Sequence, residues 1–387
     1  MKINKKSPQH WLSLFRFTIV VIIGLVLRRF TSPPTIPTVI LYGHKLNGNL
    51  KALYDYISKN HAGEIQIIFI TMDSDYHQQL ATNGITSANA NSLKTAMLIA
   101  KTACVVSDHG LHSLELALRF SNIKFVDVWH GIPFKGFDAS DFRTQQKYNQ
   151  IWVSSTTLAQ IYCDKFGFSE SKIRITGYGR ADTIQRMKKN KVELLQELKV
   201  PERKNIILYA PTWAQNAINR SLFPFGCTKN NFLTELTNIC ARTNSVLLIR
   251  THLNSELTST FEHPDLYFIP HSEQPETEKI LAITDLLICD WSSVAFDFLV
   301  VERPTVFLDV PAPFKKGFSL PPDMRFGPTV NTINDLLLSI DRYIQHKHQF
   351  NLDYGNKIAN VKRIVYGDTL DGESSKRYVH QLYSLFS

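Results

Sequence analysis

No acidic residue occurs before Asp55, and the 387 residues contain no Cys-x-x-Cys pair, no P-loop, no Gly-x-Ser-x-Gly elbow and only one long apolar run. Each absence excludes something. The five cysteines (Cys104, Cys163, Cys227, Cys240, Cys289) are odd in number and widely spaced. They form neither a metal ribbon nor a disulfide framework, and they suit a reducing compartment. A single apolar run excludes a polytopic membrane protein. Gly43-His44-Lys45-Leu46-Asn47-Gly48, after the first strand candidate, is no Gly-x-Gly-x-x-Gly fingerprint, so no dinucleotide cofactor is indicated. The net charge of +9 hints at nucleic acid, but eight basic residues precede Asp55, leaving about +1 for everything after it. No global basic field remains to hold a nucleic-acid backbone. With 44% hydrophobic and 20% charged residues, the chain has an ordinary globular composition and length enough for two α/β domains.

The apolar run, Trp11 to Leu27, carries Arg16 as its only charge and is marginal for a spanning helix. Basic residues flank both ends, so loop charge gives no orientation. Arg28 to Pro34 offers no small-residue cleavage site. Pro33, Pro34 and Pro37 are expected to detach the segment from the rest of the chain. Residues 1–36 therefore read as a basic membrane anchor or monotopic helix at an anionic cytoplasmic leaflet.

From Pro37 the chain alternates short apolar runs with helical patterns, the signal of parallel sheets. Strands are expected at Thr38–Tyr42, Gln66–Thr71, Cys104–Ser107, Lys124–Trp129, Ile151–Ser154 and Lys172–Thr176. After a charged stretch ending at Pro201 the pattern restarts, with strands at Asn205–Ala210, Ser245–Arg250, Leu266–Ile269, Asp285–Cys289 and Thr305–Leu308. The expected division is an N-terminal Rossmann-like domain over 37–185, a linker helix over 186–203, and a C-terminal Rossmann-like domain over 204–387. Ligands of such domains lie at the carboxyl ends of the strands.

Chemistry-bearing residues cluster at those ends. His130, in Trp129-His130-Gly131-Ile132-Pro133-Phe134-Lys135, follows a buried strand, and a neutral imidazole there could take a proton from an attacking hydroxyl. Lys135 adds a charge suited to a phosphate. Taken alone, His130 reads first as a residue that caps its strand. Arg250 and His252 flank Thr251 at another strand end and point to one side of an extended chain, where both could donate to a phosphate. Asp290-Trp291-Ser292-Ser293 joins a strand to a helix. Ser292 or Ser293 is a natural N-cap there, and the same geometry can hold an anion without a metal. Gly177-Tyr178-Gly179-Arg180-Ala181-Asp182, Pro211-Thr212-Trp213 and Asp371-Gly372-Glu373-Ser374-Ser375-Lys376-Arg377 are unremarkable singly.

In combination these motifs (WHGIPFK, GYGRAD, ILYAPTW, RTH, ITDLLICDWSSVAFDF with the later ERPTVF, and DGESSKR) resemble those of the CDP-glycerol glycerophosphotransferase family, the teichoic-acid primases and polymerases of bacterial envelopes. The matches run from about Tyr42 to Arg377. Ala214, Leu253 and Trp291 depart from the family's usual residues. The resemblance implies an α/β, GT-B-like fold of two facing Rossmann-like domains with parallel sheets, plus the N-terminal hydrophobic helix. It also implies metal-independent transfer of glycerol phosphate from CDP-glycerol, with release of CMP, to a lipid-linked glycan or polyol-phosphate acceptor. That places the chain in teichoic-acid or capsule synthesis at the membrane surface. The carried-over roles are His130 and His252 in catalysis, with Arg250, Asp290, Ser292 and Ser293 in substrate binding; Lys135, Arg180, Thr212 and Asp371 join them as substrate-binding candidates. The rival readings are a GT-B transferase using CDP-ribitol or a nucleotide sugar, and a non-catalytic membrane-tethered binding module.

Overall fold

The computed structural model describes residues 7–202, 205–212, 222–250, 261–271 and 273–386. The chain runs α1 (Pro8–Arg28), β1 (Thr38–Tyr42), α2 (Gly48–Asn60), β2 (Gln66–Thr71), α3 (Ser74–Thr82), β3 (Ser87–Asn89), α4 (Leu93–Lys101), β4 (Thr102–Ser107), α5 (Glu115–Phe120), β5 (Lys124–Asp127), β6 (Gln150–Val153), α6 (Thr156–Asp164), β7 (Ile173–Ile175), α7 (Gly179–Met187) and α8 (Lys191–Glu197). It continues through β8 (Asn205–Tyr209), α9 (Lys229–Arg242), β9 (Ser245–Ile249), β10 (Leu266–Phe268), α10 (Thr277–Ile283), β11 (Leu286–Cys289), α11 (Val294–Phe298), β12 (Thr305–Leu308), β13 (Thr329–Val330), α12 (Ile333–Gln345), α13 (Lys347–Tyr366) and α14 (Ser374–Phe386).

Two compact units result, and they interleave more than the sequence implies. The first comprises 1–130, 139–182 and 368–387; the second comprises 131–138 and 183–367. The C-terminal helix thus returns to the first unit, and the eight residues after His130 belong to the second. The stretch read as a linker is part of the second unit, where Lys191 pairs with Asp285 at 2.5 Å and Lys279 pairs with Glu197 of α8.

The first sheet has the order β3-β2-β1-β4-β5-β6-β7 and the second β10-β9-β8-β11-β12-β13, with every named strand pair parallel. Each order reverses direction once, between β1 and β4 and between β8 and β11. Those reversals are where doubly wound sheets open a crevice. Alternation fixes the two faces of the first sheet. Val39, Leu41, Val106 and Val126 turn to Leu50, Leu53 and Ile57 of α2 and to Tyr378 and Leu382 of α14. The ring of Trp152 stacks on Tyr378 at 4.7 Å.

The opposite face of the first sheet carries α1, and here the structure corrects the expectation of a detached segment. Phe17, Val20, Val21 and Gly24 are buried. A Cβ on Gly24 would lie 2.8 Å from both the Ala96 carbonyl oxygen and Ile99 Cβ, so the small residue sets how closely α1 approaches α4. Arg28 closes the contact, donating to the carbonyls of Ala100 at 3.1 Å and Thr102 at 2.7 Å. The prolines terminate the helix without freeing it.

Candidate functional site

The end of the first sheet gathers four aromatic rings. Trp129, His130, His109 and His44 follow one another with centroid separations of 4.4, 4.3 and 4.1 Å, the His130 and His109 rings stacked and the outer two tilted against them. Three strands supply them: His44 follows β1, His109 follows β4 and His130 follows β5, so the stack sits at the reversal of the sheet. Trp129 holds φ at +29°, an unfavourable value for a residue with a side chain. Its ring packs against Phe142 at 5.1 Å, and its N–H reaches Asp127 Oδ2 at 3.3 Å.

Asp108 organises the stack. His130 Nδ1 lies 2.8 Å from the Asp108 carbonyl oxygen. A carbonyl can only accept, so Nδ1 carries the proton and Nε2 holds the lone pair. His109 Nδ1 lies 2.7 Å from Asp108 Oδ1. The density of surrounding protein lowers the basicity of His130, and charge on His109 adds to the effect. His130 is itself solvent-accessible. Asp108 stays below the usual carboxylate range: its burial opposes ionisation, but the charge of His109 and the bond from that ring outweigh it. Beneath Trp129, burial pushes the Asp127 carboxyl up to about 8.

Asn49 of α2 locks the strand end. Its amide donates to the carbonyls of Val128 at 2.9 Å and Trp129 at 2.8 Å, and its oxygen accepts the Arg180 N–H at 3.1 Å. Arg180 Nη1 donates to the His130 carbonyl. Of the residues expected from sequence, the first unit therefore brings His130 and Arg180 together. Asp371 stands elsewhere in that unit. Arg377 grips its carboxylate with bonds of 2.8 and 2.9 Å and holds it at about 2. Arg377 also donates to the Thr176 carbonyl at 2.7 Å, while Asp182 accepts Ser374 N at 2.8 Å and Ser374 Oγ at 2.9 Å. The GYGRAD and DGESSKR motifs thus meet as a clasp that docks α14. Gly177 is required there, at φ +80°, because a Cβ would lie 2.3 Å from Ser374 Oγ.

In the second unit, Asp290 and Thr212 meet across the reversal of the sheet. Asp290 Oδ1 accepts Thr212 N at 2.9 Å, the Thr212 hydroxyl, and Trp291 N at 2.6 Å. Ser292 Oγ accepts Val294 N at 3.3 Å, while Ser293 makes no side-chain cap on α11. This helix is five residues long and passes into a 3-10 turn over Leu299–Val301. Arg250 is buried, and its guanidinium donates to the Gln274 carbonyl and Thr277 Oγ1, both at 2.9 Å. Burial lowers it to about 10, so it is charged at neutral pH. Lys135 sits on a strap pinned to the same unit: Ser319 Oγ donates to its carbonyl at 2.8 Å and Gly136 N donates to Gly317 O at 2.7 Å. Phe134 packs within 6.0 Å of Trp291, next to Asp290. His252, with Trp213, Ala214, Thr251 and Leu253, lies outside the described residues.

Asp108, His109, His44 and Asn49 were not singled out from sequence. The signal for the first three is the one that marked His130, namely polar residues following an apolar strand, and it recurs in Ser107-Asp108-His109.

Two doubly wound units with polar clusters at their sheet reversals define the class as an α/β fold of the GT-B-like kind. The family model for CDP-glycerol:poly(glycerophosphate) glycerophosphotransferase matches residues 23–384, and the chain belongs to that family. It is 25% identical over 372 residues to the teichoic acid glycerol-phosphate transferase of Staphylococcus aureus, covering 88% of this chain and 91% of that one. It is 29% identical over 282 residues to the teichoic acid ribitol-phosphate polymerase TarK of the same species, covering 68% of this chain and 52% of that protein. The chain thus spans about half the length of that relative. Among solved structures, the wall teichoic acid polymerase TagF superposes with a TM-score of 0.71 at 19% identity, covering 97% of this chain and 98% of that one.

Proposed function

We propose that the protein transfers glycerol phosphate from CDP-glycerol to a hydroxyl of a membrane-bound glycan or polyol-phosphate acceptor, releasing CMP, in the synthesis of a cell-envelope polymer. The observation that carries the reading is the anchoring of His130 Nδ1 on the Asp108 carbonyl, which presents Nε2 as a base. The acceptor oxygen attacks the β-phosphorus and its proton passes to Nε2. The bond from that phosphorus to the bridging oxygen breaks, and CMP leaves with the electron pair. Lys135, Arg250 and the turn at Ser292 and Ser293 supply positive charge and hydrogen-bond donors for the phosphates. His252 is proposed as the second catalytic histidine. A TagF structure obtained after a soak with CDPG supports a donor of this kind.

The membrane surface is proposed on the strength of α1. Its outer residues Trp11, Phe15, Ile19, Ile22 and Val26 are all exposed and follow one another at spacings of four, four, three and four. With its other face packed on α4, the helix is suited to lie in the interface plane rather than span it. Basic residues at both ends favour the anionic cytoplasmic face. CDP-ribitol is a second reading of the donor, favoured by the likeness to a ribitol-phosphate polymerase. The test is donor competition: CMP release with CDP-glycerol and CDP-ribitol, singly and together. A preference for CDP-glycerol supports the first reading, and turnover of CDP-ribitol alone replaces it with the second.

A further inference from the structure

Two histidines at the end of the first sheet commit Nδ1 to the same residue, but to groups of different charge. His130 uses the Asp108 carbonyl and His109 uses the Asp108 carboxylate. The carbonyl suits a neutral imidazole with a lone pair on Nε2. The carboxylate suits an imidazolium, whose Nε2 then carries a second N–H. The rings lie 11° from parallel and 4.3 Å apart, too close for both to be charged at little cost. The Asp108 side chain is 3% exposed, and such a buried carboxylate needs a charged partner. Residue 43 makes room for the arrangement, since a Cβ on Gly43 would lie 2.3 Å from Asp108 Oδ1.

We propose that Asp108 and His109 form a phosphate-binding site beside the base, in which His109 as imidazolium donates its Nε2–H to a non-bridging oxygen of the phosphoryl group under attack. The inference rests on the transfer reading given above. Whatever pose brings an acceptor hydroxyl to His130 brings the attacked phosphorus within a few ångströms of it, and the ring stacked on His130 shares that reach. One residue thus sorts two imidazoles into two roles: the carbonyl keeps one as a base, and the carboxylate keeps the other as a cation. The other groups that bear on the charge of His109 are His44 on its second face, His112, His130 and Asp108, with Arg180 beside His130 and Asp127 below.

The experiment measures CMP release against pH for the full chain and for His109→Gln, His109→Arg and Asp108→Asn, each checked by thermal melting. His109→Gln lowers kcat/KM about 100-fold. His109→Arg, charged at every pH, recovers part of the loss and moves the alkaline limb upward. Asp108→Asn keeps the carbonyl that holds His130 but removes the charge that favours an imidazolium at His109, so the alkaline limb moves down. The proposal is overturned if folded Asp108→Asn leaves the alkaline limb unmoved and His109→Arg is no better than His109→Gln. Calorimetric binding of CDP-glycerol in a His130→Gln background separates this from the transfer reading. There, His109→Gln weakens binding about tenfold or more, and unchanged affinity overturns the site without reference to turnover. Full activity in His130→Gln itself would defeat the transfer reading instead.

Discussion

His130 and Asp127 stand three residues apart at the end of β5 and titrate in opposite directions. Protein density and the charge of His109 lower His130, so the free base persists to a more acid pH than an ordinary histidine allows. Burial raises Asp127 to about 8, and its Oδ1 has no hydrogen-bond partner. Between the ordinary carboxylate value and about 8 the folded state keeps a proton that the unfolded chain releases. Stability from this group is therefore full at acid pH and declines as pH rises, by at most ~1.4 kcal/mol per pH unit. Asp127→Asn is expected to remove that decline, with a gain over the parent that grows from pH 5 to pH 8 in urea titrations. Asn49 holds two strand-end carbonyls and the Arg180 amide, and Asn49→Ala is expected to cost about 2 kcal/mol and to depress turnover. What the sequence showed at this scale was uneven. His130 was legible because it follows a buried apolar strand, with Gly131 and Pro133 just after it. Asp108 and His109 obey the same strand-end rule, with Gly110 after them but no proline. Arg250 was legible as a cation at a strand end, but its partners Gln274 and Thr277 lie more than twenty residues on, where no local pattern points to them.

Among the elements, α1 and α14 depart most from their reading in sequence. Apolar runs drew the central strands: Thr38–Tyr42, Gln66–Thr71 and Thr305–Leu308 are found as expected. The edge strands Ser87–Asn89 and Thr329–Val330 are two or three residues long and nearly all polar or small, and they carry no such signal. The face that α1 buries is weakly marked in sequence because apolar residues surround most of the helix; Gly24, Ser13 and Thr18 lie on the contact, and their meaning depends on α4, Asn91 and Ser113. Gly24→Leu is expected to destabilise the protein by about 1–3 kcal/mol in thermal or denaturant melts, because the helices cannot separate without losing the Arg28 contacts. Phe15→Glu with Ile19→Glu changes only the outer face. It should leave the melting temperature in place and reduce sedimentation with anionic vesicles at least tenfold. Equal sedimentation would remove α1 from the membrane reading. At the other end of the chain, Asp182→Ala leaves the Ser374 amide and hydroxyl without their acceptor and should cost about 1–3 kcal/mol. The matching motifs 177–182 and 371–377 were visible in sequence, but their mutual contact arises from the return of the chain to its first unit.

For the whole molecule, the order of the strands places chemistry where single residues could not. Each unit reverses its sheet once. At one reversal His44, Asp108 and His109 meet, with His130 on the adjacent strand; at the other, Thr212 meets Asp290. The alternation of strand and helix announced two such units, while the exchange of residues 131–138 and 368–387 between them depends on contacts far apart in the chain. Six of the eight basic residues before Asp55 lie in sequence at or before Arg29, in and around α1, so vesicle binding is expected to weaken with rising salt while CMP release from a soluble acceptor analogue does not. The central claim is acceptor-dependent transfer with His130 as base. The most direct measurement is CMP release by the purified full chain given CDP-glycerol, with and without a lipid-linked saccharide acceptor, beside His130→Ala of equal melting temperature. The account predicts CMP from the parent only when acceptor is present, and a loss of at least 100-fold in the variant. CMP release by His130→Ala at the parent's rate, or none from the parent with a competent acceptor, would contradict it.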